Sequence, residues 1–266
     1  MKNSLLWAIA DGEDLRGFLF GSMHLAGPSE VHLINSAEVM LDRVESLMLE
    51  FNPAEIKPDQ IADLQKLPQS KRLSLKIPRR KYFRIRDKLK RFTGINIREF
   101  DLFPPLYTLN VIYAGFLTDK ESFSMDFHLF QKAMRRKMPV TGLESVEDQT
   151  KIIKAIPLEQ QISSLEDFSK RVDVHRKRIL RSASLYRDQK IHELYRYNKN
   201  QMGPIRRQLI YERNFRMADK IEEQLREQTA LIAVGAGHLS GRFGLIRLLK
   251  RCGYRLKPVK NIKSDL

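Results

Sequence analysis

A chain of 266 residues is long enough to bury the core of one large domain or two small ones, and its ordinary apolar and charged fractions exclude global disorder. Forty-eight Lys and Arg against 32 Asp and Glu give a net charge of +16, a balance that favours an anionic partner and says nothing of fold. The single cysteine, Cys252, excludes an internal disulfide and any cysteine-based zinc or iron–sulfur centre; beside an expected terminal helix it reads as a small buried hydrophobe.

In chain order, residues 5–10 and 16–21 read as two short strands around Asp11-Gly12, a pair that favours a tight hairpin between apolar runs. Residues 29–44 carry Val31, Ile34, Ala37, Val39, Met40, Leu41 and Val44 near helical spacing, with Ser29 placed to cap the helix. Residues 46–51 (SLMLEF) form a short strand. Helical segments broken by Pro53, Pro58, Pro68 and Pro78 come next, and 71–92 is heavily basic with Asp87 its only acid. Pro104-Pro105 opens an apolar helix, 124–136 is another with Asp126 in its first turn, and 138–143 is a strand reaching Glu144. Residues 157–228 read as helical throughout, with a break at Gly203-Pro204. A strand over 229–234, a helix over 241–251 and a last strand over 254–259 complete the chain. Strands alternating with helices at both ends predict an α/β fold. Its central mixed sheet is flanked by helices, in one domain of 1–266 whose residues 155–228 form a large helical insertion, or lid.

No apolar run approaches the ~20 residues of a membrane span. The amino-terminal MKNSLLWAIADGEDL lacks the apolar length and cleavage site of a secretory leader. A cytoplasmic location is therefore expected, or a periplasmic or secreted one if a leader has been removed.

Two stretches share one form. FLFGSMHL (18–25) and LIAVGAGHL (231–239) each run from apolar residues through Gly, two residues, His and Leu, as an internal duplication would leave them. A strand ending in glycine lets the backbone turn without a Cβ penalty. Residues just past such a glycine lie at the carboxyl edge of the sheet, where open α/β sheets bind ligands. One Gly-x-x-His after a strand is ordinarily structural, but two from neighbouring strands would set His24 and His238 face to face. Glu50 and Glu144 also end apolar strands, where a carboxylate is costly to bury unless paired or metal-bound. The four make a two-histidine, two-carboxylate set suited to zinc, manganese, cobalt or iron. A carboxylate that is not a ligand would act as general base.

Other catalytic patterns are missing: no H-E-x-x-H, G-x-S-x-G or P-loop occurs. GAGHLSG (235–241) places its third glycine one position late for a dinucleotide fingerprint and has no acid about twenty residues on. In 71–92 the aromatic residues Tyr82, Phe83 and Phe92 interleave with cations, as in a nucleic-acid or anionic-surface contact. Yet Leu73, Leu75, Ile77, Phe83, Ile85 and Leu89 fit a buried stripe beneath a solvated basic face, and charge runs alone seldom specify a partner. The buried stripe is therefore the favoured reading; nucleic acid is not expected, and weak anionic-surface contact through 71–92 is kept as the alternative.

The motifs in order resemble the TraB/GumN family, which belongs with the Tiki metalloproteases, the erythromycin-esterase-like proteins and the ChaN haem-binding proteins in one broad clan. The likeness runs from LLWAI and GSMHL through LMLEFN, FSMDFHLFQKA, TGLESVEDQ and YERNFRMADKI to VGAGHLSGRFGLIRLLKRCGYRLKPV. It implies that the family's two Gly-x-x-His histidines are His24 and His238 here, its strand-end glutamate Glu50, its LE…Q element Glu144 and Gln149, and its Arg-Asn pair Arg213 and Asn214. The implied metal set is His24, Glu50, His238 and Glu144. Glu50, Glu144, Arg213 and Asn214 are the implied catalytic group, with Gly21, Gln149, Gly235 and Ser240 on the substrate side. Arg213 would neutralise Glu144 or grip a substrate carboxylate, Asn214 would bond a reacting carbonyl, and Ser240 would serve the substrate or cap the last helix. Tiki relatives are described as metal-dependent peptidases, so the implied activity is hydrolysis of an amide or peptide bond with Mn, Co or Zn, on a peptide or small-molecule substrate. The alternative is a non-catalytic protein of the ChaN type holding haem or another small ligand, with Tyr107, Tyr113 or His128 as axial ligand. His32, His175 and His192 have no strand context and read as structural.

Overall fold

The structure, a computed structural model, describes residues 3–23, 25–55, 66–118, 121–199, 203 and 206–259. The chain divides into two compact units. The first comprises Met1–Glu55, Thr118–Ser145 and Ser182–Leu266, the second Ile56–Leu117 and Val146–Arg181.

The first unit is built on a six-stranded mixed sheet. β1 (Leu6–Asp11) and β2 (Asp14–Ser22) form the expected antiparallel hairpin, turning through Gly12 at φ 56°. β3 (Ser46–Leu49), β4 (Val140–Gly142), β5 (Ala230–Gly235) and β6 (Arg255–Pro258) complete the order β4-β3-β5-β2-β1-β6. The four strands β4, β3, β5 and β2 run parallel, and β1 is antiparallel to both β2 and β6. β5 lies between two parallel neighbours and Ala230–Val234 is buried throughout, which is why its sequence is an unbroken apolar run rather than an alternation.

The helices in chain order are α1 (Val31–Glu38), α2 (Leu73–Lys76), α3 (Arg79–Thr93), α4 (Pro105–Gly115) and α5 (Met125–Arg135). Then come α6 (Val146–Ala155), α7 (Leu158–Lys170), α8 (Val172–Arg187), α9 (Ile191–Lys199), α10 (Glu212–Glu227) and α11 (Leu245–Arg251). Of these, α1, α5, α9, α10 and α11 belong to the first unit and α2, α3, α4, α6 and α7 to the second; α8 begins in the second and ends in the first. Residues 155–228 are therefore shared between the two units. Among the described residues no helix is long and apolar enough to cross a membrane.

Several local expectations are corrected. Residues 29–44 are not one helix: α1 is flanked by 3-10 turns at Pro28–Glu30 and Val39–Arg43. Ser29 lies inside the first turn and donates to Glu30 Oε1 at 2.8 Å instead of capping, while Glu30 Oε2 accepts from Gly27 N at 2.9 Å. The helix expected over 241–251 begins only at Leu245, after Gly241 at φ 101°. The stretch 157–228 is broken at Arg171, near Gln189 (φ 55°) and at Gly203 (φ 54°), and includes a π turn at Arg207–Tyr211; Pro204 lies outside the described residues. Cys252 is exposed.

The second unit has its own core. Tyr82, Ile85 and Leu89 of α3 pack with Leu109 and Ile112 of α4 and Leu165 and Phe168 of α7. The apolar stripe of the basic segment is buried at Leu73, Ile77, Ile85 and Leu89, but Leu75 is 69% and Phe92 49% exposed. Leu75 lies two residues after the buried Leu73 in α2 and so projects from the opposite side of that turn. This unit carries 22 Lys and Arg against 11 Asp and Glu, which is +11 of the chain's +16.

Candidate functional site at the carboxyl edge of the parallel strands

The four parallel strands end at one edge of the sheet. Gly21 of β2 stands opposite Val234 of β5, and Ser22 opposite Gly235. On the other side of β5, Leu49 of β3 pairs with Ala233, and Gly142 of β4 pairs with Leu49. The two Gly-x-x-His runs thus leave adjacent strands in the same direction, and Glu50 and Glu144 leave the next two. His24 lies outside the described residues.

The glycines have a different reason from the turn expected of them. Neither Gly21 nor Gly235 has a left-handed φ. A Cβ on Gly21 would lie 2.5 Å from Leu239 Cδ1 and 3.2 Å from Ala236 Cα, so the first motif needs glycine because the second packs on it. A Cβ on Gly235 would lie 3.0 Å from Glu50 Oε1, and the Gly235 N–H donates to that oxygen at 2.6 Å. Gly21 is further held by its N–H to Leu5 O (2.8 Å) and by Tyr186 Oη donating to its carbonyl (2.9 Å). Burial, then the nearby Asp126 and Glu30 charges, hold that phenol protonated well above its usual range.

Around Glu50 the polar groups converge. Arg213 Nη2 donates to Glu50 Oε2 at 2.7 Å and contacts Glu144 Oε2 at 2.6 Å, and Nε reaches the two Glu144 oxygens at 3.1 and 2.8 Å. Nη1 donates to Leu209 O at 3.2 Å, a carbonyl in the π turn before α10. Burial alone would lower the Arg213 pKa, but the two carboxylates outweigh it and raise the pKa, so the guanidinium stays charged. Each guanidinium nitrogen is engaged within the chain, so in this structure Arg213 neutralises Glu144 rather than presenting a fork to a substrate carboxylate.

His238 Nε2 is 3.7 Å from Glu50 Oε1. Its Nδ1 is 2.5 Å from Asn214 Oδ1, which can only accept, so the proton of the neutral ring sits on Nδ1 and the lone pair on Nε2. Asn214 is fully buried, and its Nδ2 donates to the carbonyls of His238 (3.2 Å) and Phe243 (2.6 Å). Its amide is used at both ends, so it orients His238 and does not reach out to a reacting carbonyl. Ser240 does not cap the last helix, whose N-cap is Gly244; its buried hydroxyl bonds His192 Nδ1 at 2.7 Å. Gln149 is half-buried on α6, in the second unit.

Three residues escaped the sequence reading. Arg216, one turn after Arg213, reaches Glu144 Oε1 at 3.5 Å, a neighbour that helical spacing alone would have suggested. Tyr186 and His192 find their partners far along the chain, and no local pattern announces either. Asn214 did leave a local signal. The buried stripe of α10 runs Asn214, Met217, Ala218, Ile221, Leu225, with an amide where a hydrophobe belongs.

Among the described residues no group of three or more His, Cys, Asp or Glu is arranged to hold a metal ion. Two donors do fit one: the Glu50 carboxylate, and His238 Nε2 with its tautomer set by a hydrogen bond at the other nitrogen, the arrangement metal-ligating histidines use. Glu144, clasped by Arg213, fits less well. Of the axial candidates for haem, His128 bonds Glu38 at 2.9 Å, Tyr113 packs on Phe168 and His175, and Tyr107 stacks on Phe103 at 5.0 Å.

Fold and cluster together define an α/β protein whose polar centre lies at the carboxyl edge of a parallel strand set. The model of the TraB/PrgY/gumN family matches residues 5–258, so the chain belongs to that family. No curated protein and no solved structure matched it.

Proposed function

We propose that this edge is the active site of a divalent-cation-dependent hydrolase acting on an amide or peptide bond. The observation that carries the reading is the Glu50–His238 pair. A buried carboxylate and a tautomer-fixed imidazole stand 3.7 Å apart where four parallel strands end. Glu50 and His238 would hold the cation, and the family likeness adds His24, outside the described residues, as a further ligand. A bound divalent cation supplies Lewis-acid activation of water and of the scissile carbonyl. The chain's own residues prepare the place. Asn214 keeps the His238 lone pair on Nε2, and the Gly235 N–H fixes one Glu50 oxygen. Glu144 anchors Arg213, whose positive charge lies against Glu50. Arg213 is shared between the two buried carboxylates of Glu50 and Glu144.

The test is metal analysis of the full-length protein after loading with manganese, cobalt or zinc. One equivalent is expected in the wild type, with loss on His24→Ala or His238→Ala, and Asn214→Ala weakening affinity about 10- to 100-fold. Chelator-sensitive cleavage of a peptide library would accompany it. Failure of the wild type to retain any of the three metals overturns the proposal.

A further inference from the structure

The second unit holds a groove of about 490 Å³ between the carboxyl-terminal turns of α3 and the junction of α7 with α8. It is lined by two kinds of side chain. Lys88, Arg91, Lys170 and Arg171 bring charge; Phe92 and Val174, 49% and 41% exposed, bring apolar surface. Lys170 and Arg171 already pair with Glu166 and Asp167, one turn back on α7. Among the described residues Lys88 and Arg91 have no acidic partner. Two acids share the wall: Asp87 is paired with Arg86 at 2.6 Å, and Asp173 sits in the first turn of α8, where a negative charge suits the helix dipole. The uncommitted charge of the groove is therefore positive, within a unit of +11.

The aromatic residues decide between polyanions. Single-stranded nucleic acid is held by ring faces on which bases stack. Here Arg91 lies over the Phe92 ring at 5.3 Å, Arg79 and Arg86 lie over Phe83 at 5.7 and 4.6 Å, and Tyr82 is buried against Asp101. The two phenylalanine rings already carry guanidinium groups and the tyrosine ring is buried. What Phe92 and Val174 still offer is apolar surface at the foot of basic side chains, the pairing by which soluble domains seat on a bilayer. The cations meet anionic headgroups and the hydrophobes enter the acyl boundary.

We propose that this groove is a docking surface for anionic phospholipid membranes. It lies within the second unit and does not depend on the Glu50–His238 reading. The test is co-sedimentation of the full-length protein with vesicles of phosphatidylcholine alone and of phosphatidylcholine mixed with phosphatidylglycerol. Binding is expected only to the mixed vesicles and to weaken with added salt. Lys88→Glu with Arg91→Glu should lower partition at least about tenfold, since each basic residue near the surface contributes on the order of a fewfold. Phe92→Ser with Val174→Ser should lower it severalfold. Arg91, Phe92 and Val174 are exposed and Lys88 is half-buried, and both variants should keep the wild-type thermal unfolding curve, which is measured alongside. Equal binding to uncharged vesicles overturns the proposal. So does undiminished binding by the Phe92→Ser/Val174→Ser variant, which would mark a general polyanion surface, and so does preference for a single-stranded oligonucleotide over the mixed vesicles.

Discussion

Gly21 and Gly235 show how much one missing methyl can decide. Both were expected to supply a turn, and both instead leave room: Gly21 for Leu239 and the backbone of Ala236, Gly235 for the carboxylate of Glu50. Gly21→Ala is therefore expected to cost about 1–3 kcal/mol, as overpacking does in a closed core, read as a lower urea midpoint at unchanged slope. Leu239 is fully buried and has little room to move aside. Arg213 poses the electrostatic counterpart. Its removal as Arg213→Met would take away the guanidinium that Glu50 and Glu144, both buried, share. Breaking a buried pair by deleting one partner costs about 3–5 kcal/mol. Urea unfolding at neutral pH should show that loss as a lower midpoint. A variant as stable as the wild type would remove the argument that Arg213 compensates the two buried acids.

Between elements, Glu30 joins the turn before α1 to the end of α8. It is buried, accepts from Arg187 Nε at 2.8 Å, from Ser29 and from Gly27 N, and so gathers two segments far apart in sequence. Burial alone would raise its pKa, but the Arg187, Ser29 and Gly27 hydrogen bonds outweigh it and hold the carboxyl below its ordinary 4.5. The folded state then binds the proton more weakly than the unfolded one. The stabilisation is complete above about pH 4.5 and is lost as pH falls through the lowered folded value. Glu30→Gln should lower stability at neutral pH and flatten the acid limb of the stability curve, as chemical unfolding at about pH 7 and pH 3.5 would register. The same segment shows what periodicity misses. Val31 to Val44 repeat near helical spacing, yet Pro28 and the tight Val39–Arg43 turn divide them, and Val31 and Val39 emerge about 40% exposed. Spacing reports that a face exists, not that one helix carries it.

At the scale of the molecule, the sequence was informative where chemistry repeats and silent where strands choose neighbours. The shared Gly-x-x-His form made β2 and β5 candidates for adjacency, and they are hydrogen-bonded in parallel. Nothing local placed β3 on the far side of β5, because a short apolar strand fits beside any other. Apolar runs marked the strands themselves because a parallel set buried on both faces needs no alternation. Residues 157–228 read as helical with one break, at Gly203-Pro204, because their polar and apolar residues recur at helical spacing throughout. The breaks at Arg171 and Gln189 are single-residue departures of backbone angle that spacing does not encode. Glu50 and Glu144 stood out as acids ending apolar runs, whereas the guanidinium that joins them comes from a helix about seventy residues beyond the second, and only family likeness pointed to it. The basic excess was visible as a run over 71–92. That the end of α7 adds Lys170 and Arg171 to the same groove required the fold.

The sheet is sewn together late. Gly17 and Ala230 pair across 213 positions of sequence, and β5 fills the gap between β2 and β3. A ribosome making this chain therefore releases both outer partners long before the strand that unites them. Until it emerges, each waits with one backbone edge unsatisfied. Such distant closure is slow, and a bare edge invites pairing with a neighbouring nascent copy. The element that completes the polar centre is thus also the one whose tardiness sets the hazard of synthesis.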